Sequence, residues 1–459
     1  MIRPSSPCWR GDTIGAFQVE SRAQQQMLPR LKPRSFEEIA VEIAIVRPGP
    51  IQGGAVHPYL RRRNGQEPVA YLHPLLEGVL KETLGVLLFQ EQAIRLAVIM
   101  AGFTPGEADL LRRALSRSRA EEEMAAMQAR FIRGALGKGV EEAIAAAVFQ
   151  QLAGFAGYGF CKSHAMSFAL IAWQTLWLKR YHPAAFTCAL LNQQPMGFYA
   201  PEVIIQDAIR HGVRFLPVSV EDSLWRYALE PDEKKNPPIR TGFCAVKGMG
   251  EGAAERILTA RNDAPFASLE DFWQRTRLPK DVMQHLIRAG ACDHFGERRD
   301  LLWRLGMIED KSGQLEMTVP PVPLILPDLT PLERTVWEME LTGWSIDGQI
   351  MRHLRAPLRR AGFSSIWEVK QARPGSKLRV AGMVVVRQRP ETAKGILFMS
   401  LEDESGLLDV VVKPDSYTRY RSVLRGQPLL CVEGIVQRAD GAVNLLLHSA
   451  AALPVGEAK

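Results

Sequence analysis

Apolar positions recur with helical spacing along most of residues 48–205. The segment 35–46, just before them, opens with a serine N-cap and an acidic first turn. Residues 104–115 carry Thr104 as an N-cap, a proline in the first turn and a glutamate at the capping-box position. Residues 163–181 are apolar on nearly every side, which predicts a central buried helix with a serine N-cap at residue 163.

The hydrophobic period changes from Leu378 onward, where short β-rich runs alternate with glycine and aspartate turns. This pattern predicts a small barrel or sandwich. A second helical unit precedes it at about 240–305, and the proline-rich stretch 319–333 is the clearest linker. The predicted fold class is multi-domain and mainly α, followed by a small β-barrel.

Composition places the chain among ordinary globular proteins. Its 459 residues are 46% hydrophobic and 23% charged, and the net charge of +7 favours a polyanionic partner weakly. Six scattered cysteines contain no C-x-x-C pair, which excludes the common zinc layouts and fits a reducing, cytoplasmic location. No apolar run reaches 18 residues and the first residues form no secretory signal, so we expect no membrane partner.

Two arginine motifs are candidates for binding an anion. Arg47 stands where Pro48 and Pro50 end a helix in a rigid turn; the alternative is a solvated residue at a helix C-cap. Arg112 and Arg113 are adjacent on a predicted helix, so their side chains point about 100° apart. Two guanidinium groups so placed could clamp one polyphosphate, whereas a charge run taken alone is more often a solvated basic face.

A glycine-rich loop leads into the apolar helix. Three glycines surround Tyr158, and Lys162, Ser163 and His164 follow at the start of the helix. A helix N-terminus beside a lysine and a histidine favours an anion, although the spacing of a Walker loop is absent. The alternative is a glycine-rich loop that only leads into a core helix.

Glycines also mark a predicted helix-hairpin-helix unit. Lys247 is followed by Gly248, Gly250 and Gly252 and then by an amphipathic helix, and residues 281–296 resemble a second copy. Backbone N–H groups in such hairpins bind phosphate without reading sequence. A helical hairpin that serves only packing is the alternative.

The C-terminal strands carry basic and aromatic side chains. Arg387, Arg389 and Lys394 alternate with apolar positions, and Phe398 and Tyr417 could stack on bases. A five-stranded barrel of this kind fits single-stranded nucleic acid; a protein-interaction barrel is the alternative. The acidic run at 402–404 is interpreted as a strand-to-turn feature.

Taken together, these motifs resemble the bacterial C-family DNA polymerases, the DNA polymerase III alpha subunit type. Residues 11–50, 84–92, 103–115 and 157–164 carry the resemblance, and residues 387–406 look like the error-prone branch. The resemblance implies five regions: the end of the palm at 1–47, fingers at 48–205, a helix-hairpin-helix DNA-binding domain at 206–305, a linker and helical connection at 306–375, and an OB-fold at 376–453.

The same resemblance implies an incoming-nucleotide site in the fingers. Arg112 and Arg113 would hold the triphosphate, and Lys162, Ser163 and His164 would line the pocket. Tyr158 would pack near the sugar or base. Further members of the predicted site are Arg47 and Gln90.

The family's paired palm aspartates find no counterpart, because no D-x-D occurs in these residues. We therefore expect a fragment of an error-prone polymerase that does not polymerise by itself, with Mg²⁺ ligands elsewhere. A non-catalytic DNA-binding subunit of a replication or repair assembly is the second hypothesis, and a protein-binding scaffold the third.

The expected partners are primer-template DNA, single-stranded template and deoxynucleoside triphosphates, with a sliding clamp or accessory mutasome proteins beside them. Residues 313–319 contain a glutamine followed by leucine and methionine that could mimic a clamp-binding peptide; a plain linker is the alternative.

Overall fold

A computed structural model describes residues 7–47, 56–115, 121–156, 159–231, 236–308, 326–390, 393–439 and 442–453. The chain divides into two compact units, one of Met1–Arg180 and one mainly of Tyr181–Ala439 with Val443–Lys459. Three predicted features lie outside the described residues: the turn at Pro48 and Pro50, Tyr158, and the candidate clamp peptide at 313–319.

The first unit is built from helices. In chain order they are α1 (Pro7–Arg10), α2 (Arg22–Leu31), α3 (Phe36–Ile45), α4 (Val56–Arg63), α5 (Glu77–Leu80), α6 (Gln90–Ala101), α7 (Pro105–Leu115), α8 (Glu121–Leu136), α9 (Glu142–Ala156) and α10 (Lys162–Tyr181).

Capping side chains set the helix starts that the sequence predicts. The Ser35 hydroxyl accepts a bond from the Glu38 backbone N–H at the start of α3. Thr104 and Glu107 form a reciprocal capping box at α7, because each side chain accepts a bond from the other residue's backbone N–H at 3.2 and 2.7 Å. Both predicted N-termini are confirmed.

The prediction for α10 is wrong in two respects. The helix begins at Lys162, so Ser163 lies within its first turn and does not cap it. The helix is also buried on one face only, where a stripe of small residues, including Ala165 and Ala169, packs into the core. Trp173 and Trp177 remain about two-fifths exposed. Uniform hydrophobicity does not specify burial on every side, because only part of the circumference meets a neighbour.

The second unit combines helices with a small sheet and a barrel. Its helices are α11 (Pro183–Asn192), α12 (Pro201–Arg210), α13 (Glu251–Asp263), α14 (Leu269–Thr276), α15 (Lys280–Arg288), α16 (Arg298–Met307), α17 (Pro331–Thr342), α18 (Ile350–Arg360), α19 (Ile366–Gln371) and α20 (Pro414–Gly426). Its strands are β1 (Phe215–Leu216), β2 (Ala228–Leu229), β3 (Ile239–Arg240), β4 (Lys377–Gln388), β5 (Leu397–Asp403), β6 (Gly406–Val412), β7 (Leu429–Ala439) and β8 (Ala442–Ala452).

The five C-terminal strands close into a barrel in the order β4-β5-β6-β8-β7. Strand β4 pairs antiparallel with both β5 and β7, and β6 pairs parallel with β8. Val380, Leu401 and Val410 are among the residues that fill the interior. The predicted succession of helical regions and a small barrel is confirmed.

Carboxylates at the end of β5 tie the barrel to helices of the same unit. Glu402 is completely buried and pairs with Arg210 of α12 at 2.8 Å. Asp403 pairs with Arg355 of α18 at 2.7 Å. One carboxylate oxygen of Glu402 and one of Glu202 are enclosed without a hydrogen-bond partner among the described residues. The strand-to-turn segment therefore holds a buried, incompletely paired acidic group.

We expect the stability of the second unit to fall as the pH rises. Burial raises the pKa of Glu202 to about 8 and that of Glu402 to about 7. The folded chain therefore binds these protons more tightly than the unfolded chain, and the stabilisation present at pH 4–5 is lost by about pH 8–9. Glu202→Gln should leave the unit more stable than wild type at pH 9, on the order of 1–2 kcal/mol.

Urea unfolding at pH 6 and pH 9 measures this difference. The exposed Glu255 of α13 provides the matched control, since Glu255→Gln should keep the wild-type pH dependence. An equally steep decline in Glu202→Gln would contradict the assignment.

Candidate functional site

A short backbone pairing places two helix starts side by side in the first unit. Phe89 and Phe160 form a parallel bridge. The Gln90 N–H donates to the Phe160 carbonyl at 2.9 Å, and the Phe160 N–H donates to the Leu88 carbonyl at 3.4 Å. As a result, the N-terminus of α6 and the N-terminus of α10 lie next to each other, and Glu91 contacts Lys162 although 71 positions separate them in the chain.

Gln90 links this pairing to α7. Its amide nitrogen donates to the Gly159 carbonyl at 2.8 Å, and its amide oxygen accepts from Arg112 at 3.4 Å. A Cβ at Gly159 would lie 2.9 Å from the Gln90 side chain and 2.8 Å from the Phe155 ring. The loop therefore approaches α6 at a distance that only glycine allows.

Arg112 and Arg113 converge on a single carboxylate. One Asp109 oxygen pairs with Arg112 at 2.8 Å, and the other pairs with Arg113 at 2.8 Å. Arg112 is 23% exposed, whereas Arg113 is 62% exposed. The Arg112 hydrogen bond holds the pKa of Asp109 below its ordinary value. The two guanidinium groups can therefore reach two oxygens of one anion.

Carboxylates also occupy the start of α10. The Lys162 N–H donates to both Glu91 oxygens, at 2.8 and 3.0 Å, and the Cys161 thiol donates to one of them at 3.3 Å. The Lys162 ammonium group pairs with Glu82 at 2.5 Å. The helix N-terminus and lysine that the sequence predicts as an anion site thus hold carboxylate groups.

The remaining candidate residues are Arg47 and His164, which contact aromatic rings, and Ser163. The Arg47 guanidinium lies over the Phe160 ring, 3.7 Å from its centroid, and burial lowers its pKa. His164 packs between Phe160 and Phe168, with ring centroids 5.3 and 4.0 Å apart. The Ser163 hydroxyl lies 3.0 Å from the Cys161 sulfur. These predicted residues therefore lie around the paired helix starts.

Sequence reasoning missed the three acidic members of this region. Asp109 could have been found from its spacing, because it precedes the arginines by three and four residues on one helix. Glu82 and Glu91 carry no such signal, since they reach Lys162 from 80 and 71 residues away.

The glycine hairpin of the second unit presents backbone at the surface. Lys247, Gly248, Gly250 and Gly252 are all exposed, and α13 begins directly after Gly250. Gly248 has a φ of +80°, which favours glycine. A Cβ at Gly250 or Gly252 would meet no atom within 4 Å, so packing does not demand glycine there. The N–H groups of Lys247 and Met249 donate to the carbonyls of Leu341 and Val246 within the fold, at 2.8 and 3.0 Å, so the surface that this turn offers a ligand is that of its exposed glycines.

The candidate residues of the barrel differ in whether their side chains already contact other parts of the fold. Arg387 donates to the carbonyls of Leu424 and Gln427, at 2.8 and 2.5 Å, within the fold. Arg389 lies over the Tyr417 ring, 4.5 Å from its centroid. Lys394 is exposed at a left-handed turn, and Phe398 is 38% exposed.

Neither unit brings together a metal centre in its described residues: within each one, no three His, Cys, Asp or Glu side chains come close enough to share an ion. The carboxylates beside the arginines and Lys162 are paired with cations, which does not fit a magnesium site. None of the helices in the described ranges is long and apolar enough to span a bilayer.

Comparison with known protein families matches three stretches of the chain. Residues 8–139 match the bacterial DNA polymerase III alpha subunit finger domain. Residues 212–302 match a helix-hairpin-helix motif, and residues 378–450 match an OB-fold nucleic acid binding domain. The order of the three matches follows the helical units and the closed barrel.

Curated relatives extend the similarity to nearly the whole chain. An error-prone DNA polymerase of Anaeromyxobacter sp. (strain K) is 47% identical over 98% of this chain and 40% of its own length. The error-prone DNA polymerase of Corynebacterium efficiens is 44% identical over 98% of this chain and 41% of its own length.

Among solved structures, an asparaginyl-tRNA synthetase from Pyrococcus horikoshii overlaps 19% of this chain and 22% of its own, at 24% identity and a TM-score of 0.17. The chain spans about 40% of the length of the curated relatives it matches. Its finger, helix-hairpin-helix and barrel regions are similar to those of bacterial C-family DNA polymerases, and the curated relatives that it matches are error-prone DNA polymerases.

Proposed function

We propose that this chain supplies the nucleotide-binding fingers and the DNA-binding domains of an error-prone DNA polymerase. The observation that carries the proposal is the convergence of Arg112 and Arg113 on one anion, at 2.8 Å each, beside the paired starts of α6 and α10. In the proposed reaction, template-directed DNA synthesis past damage, the incoming triphosphate takes the place of that anion.

The chemistry asked of these residues is positioning and charge neutralisation. Phosphoryl transfer needs little covalent help from protein, because its transition state spreads negative charge over phosphate oxygens. Arg112, Arg113 and Lys162 would neutralise the triphosphate, and Gln90 would hold the glycine loop against α7. Arg47, Ser163 and His164 would complete the pocket, with Tyr158 near the sugar or base.

Divalent metal ions activate the primer hydroxyl in polymerases of this kind, and Mg²⁺ is the ion we propose. The carboxylates beside Arg112, Arg113 and Lys162 are paired with these cations and do not fit such a centre. We propose that these 459 residues do not polymerise by themselves and that the metal-binding aspartates come from a separate palm region. A sliding clamp or mutasome proteins are proposed as further partners.

The glycine hairpin and the barrel would hold the DNA. The exposed glycine turn after Lys247 suits the phosphates of a duplex, because glycine backbone allows a close approach. The Arg389–Tyr417 pair, Lys394 and Phe398 suit a single-stranded template, because aromatic rings stack on bases and cations follow the backbone.

We expect the purified chain to bind a deoxynucleoside triphosphate through the two arginines. Arg112→Ala/Arg113→Ala should weaken binding of dATP by at least about tenfold, since charge-assisted hydrogen bonds contribute about 1.5–3 kcal/mol each. Isothermal titration calorimetry measures the dissociation constants, and thermal unfolding checks that the variant is folded.

The exposed Arg133 of α8 supplies the control for this measurement. Arg133→Ala should bind dATP as wild type does. Wild-type affinity in the double variant would place the nucleotide elsewhere.

DNA binding should weaken steeply with salt if the barrel contacts phosphates. Arg389→Ala/Lys394→Ala should lower the slope of log K against log [salt] by about 1–2 for a labelled single-stranded oligonucleotide. Arg360→Ala, at the exposed end of α18, should leave the slope unchanged. Salt-independent binding, or none, would favour the protein-binding scaffold instead.

A further inference from the structure

Each of the three cations proposed to neutralise the triphosphate contacts a carboxylate of the chain itself. Asp109 bridges Arg112 and Arg113, Glu82 pairs with Lys162, and Glu91 accepts from the Lys162 N–H. Three acidic side chains thus match the charge of two arginines and one lysine. A triphosphate can take up these donors only if carboxylates release them.

The three carboxylates are not equivalent. Glu91 accepts from the backbone N–H at the start of α10 and from the Cys161 thiol, so it holds two helices together. Asp109 is one-third exposed and lies on the same helix as both of its partners. A turn of its side chain would therefore release both guanidinium groups from this carboxylate without separating any two elements, and Arg112 would keep its bond to Gln90.

The Asp109 carboxylate also resembles, in its geometry, the phosphate group that would replace it. Its two oxygens each meet one guanidinium group at 2.8 Å, which is the arrangement expected of two oxygens of one phosphate. Exposed ion pairs on a helix are weak, so a ligand with several negative charges can displace such a carboxylate.

We infer that Asp109 is a resting-state counter-ion that the incoming triphosphate displaces, and that it thereby lowers the affinity of the site for triphosphate. The inference rests on the proposed function of Arg112 and Arg113. Asp109 is a positioning residue, because it acts on the nucleotide through the arginines. It holds the guanidinium groups together until an anion of higher charge replaces it.

Removal of the charge should strengthen binding, a direction that a merely structural role would not produce. Asp109→Asn in the full chain should bind dATP and inorganic tripolyphosphate about threefold to fivefold more tightly than wild type. Asp109→Ala should do the same, and the thermal unfolding of both variants shows whether α7 remains intact.

The chain offers a closely matched control. Glu67 also bridges two neighbouring arginines, at 2.8 Å from Arg61 and 3.0 Å from Arg62. Glu67→Gln should leave both dissociation constants unchanged. An equal gain in Glu67→Gln and Asp109→Asn would show general anion attraction and overturn the inference.

The remaining outcomes separate the inference from the proposed function. Unchanged or weaker binding in folded Asp109→Asn, with binding lost in Arg112→Ala/Arg113→Ala, overturns the role of Asp109 and keeps the nucleotide site. Wild-type binding in the arginine variant overturns the site and the inference with it.

Discussion

The backbone bridge between Phe89 and Phe160 is the constraint on which the first unit's site depends. It is a single pairing outside the helices, yet it decides where α6 and α10 begin relative to each other. Gln90 then extends the same contact to Arg112, and the absence of a side chain at Gly159 permits the approach. This junction therefore connects the glycine loop, the start of α10 and Arg112.

Charge compensation is the second feature that shapes the molecule. The net charge of +7 suggests a generally basic protein, but its cations are repeatedly matched by acidic side chains. In the fingers, Asp109, Glu82 and Glu91 meet the proposed phosphate donors. In the second unit, Arg210 and Arg355 meet acidic residues at the end of β5. In the proposed function, binding of a polyanion is an exchange of anionic partners, and we propose that this exchange controls affinity.

Local signals were enough to predict much of the fold. Thr104 and Glu107 predict the start of α7, because both residues of the capping box lie within four positions of the sequence. The change of period at Leu378 indicates the barrel, because short β-rich runs alternate there with glycine and aspartate turns. The arrangement of Arg112 and Arg113 could also be predicted, because their position on one helix fixes the angle between the two side chains.

Features that depend on distant partners were not visible. Glu91 of α6 accepts a bond from the Lys162 N–H at the start of α10, and no sequence pattern near Glu91 or Lys162 predicts this contact. The exposed face of α10 was misjudged because hydrophobicity alone does not say which neighbours exist. The burial of Glu402 depends on α12, which lies almost two hundred residues earlier in the chain. Each failure concerns packing between segments, which a one-dimensional pattern does not encode.

Primer extension with a complementing polypeptide tests the central claim most directly. The chain is mixed with a polypeptide that carries the palm region of a related polymerase, and extension of a labelled primer is followed with all four nucleotides. We predict extension by the native pair, none by either polypeptide alone, and loss of extension with Arg112→Ala/Arg113→Ala. Extension by this chain alone, or undiminished extension with the arginine variant, would contradict the account.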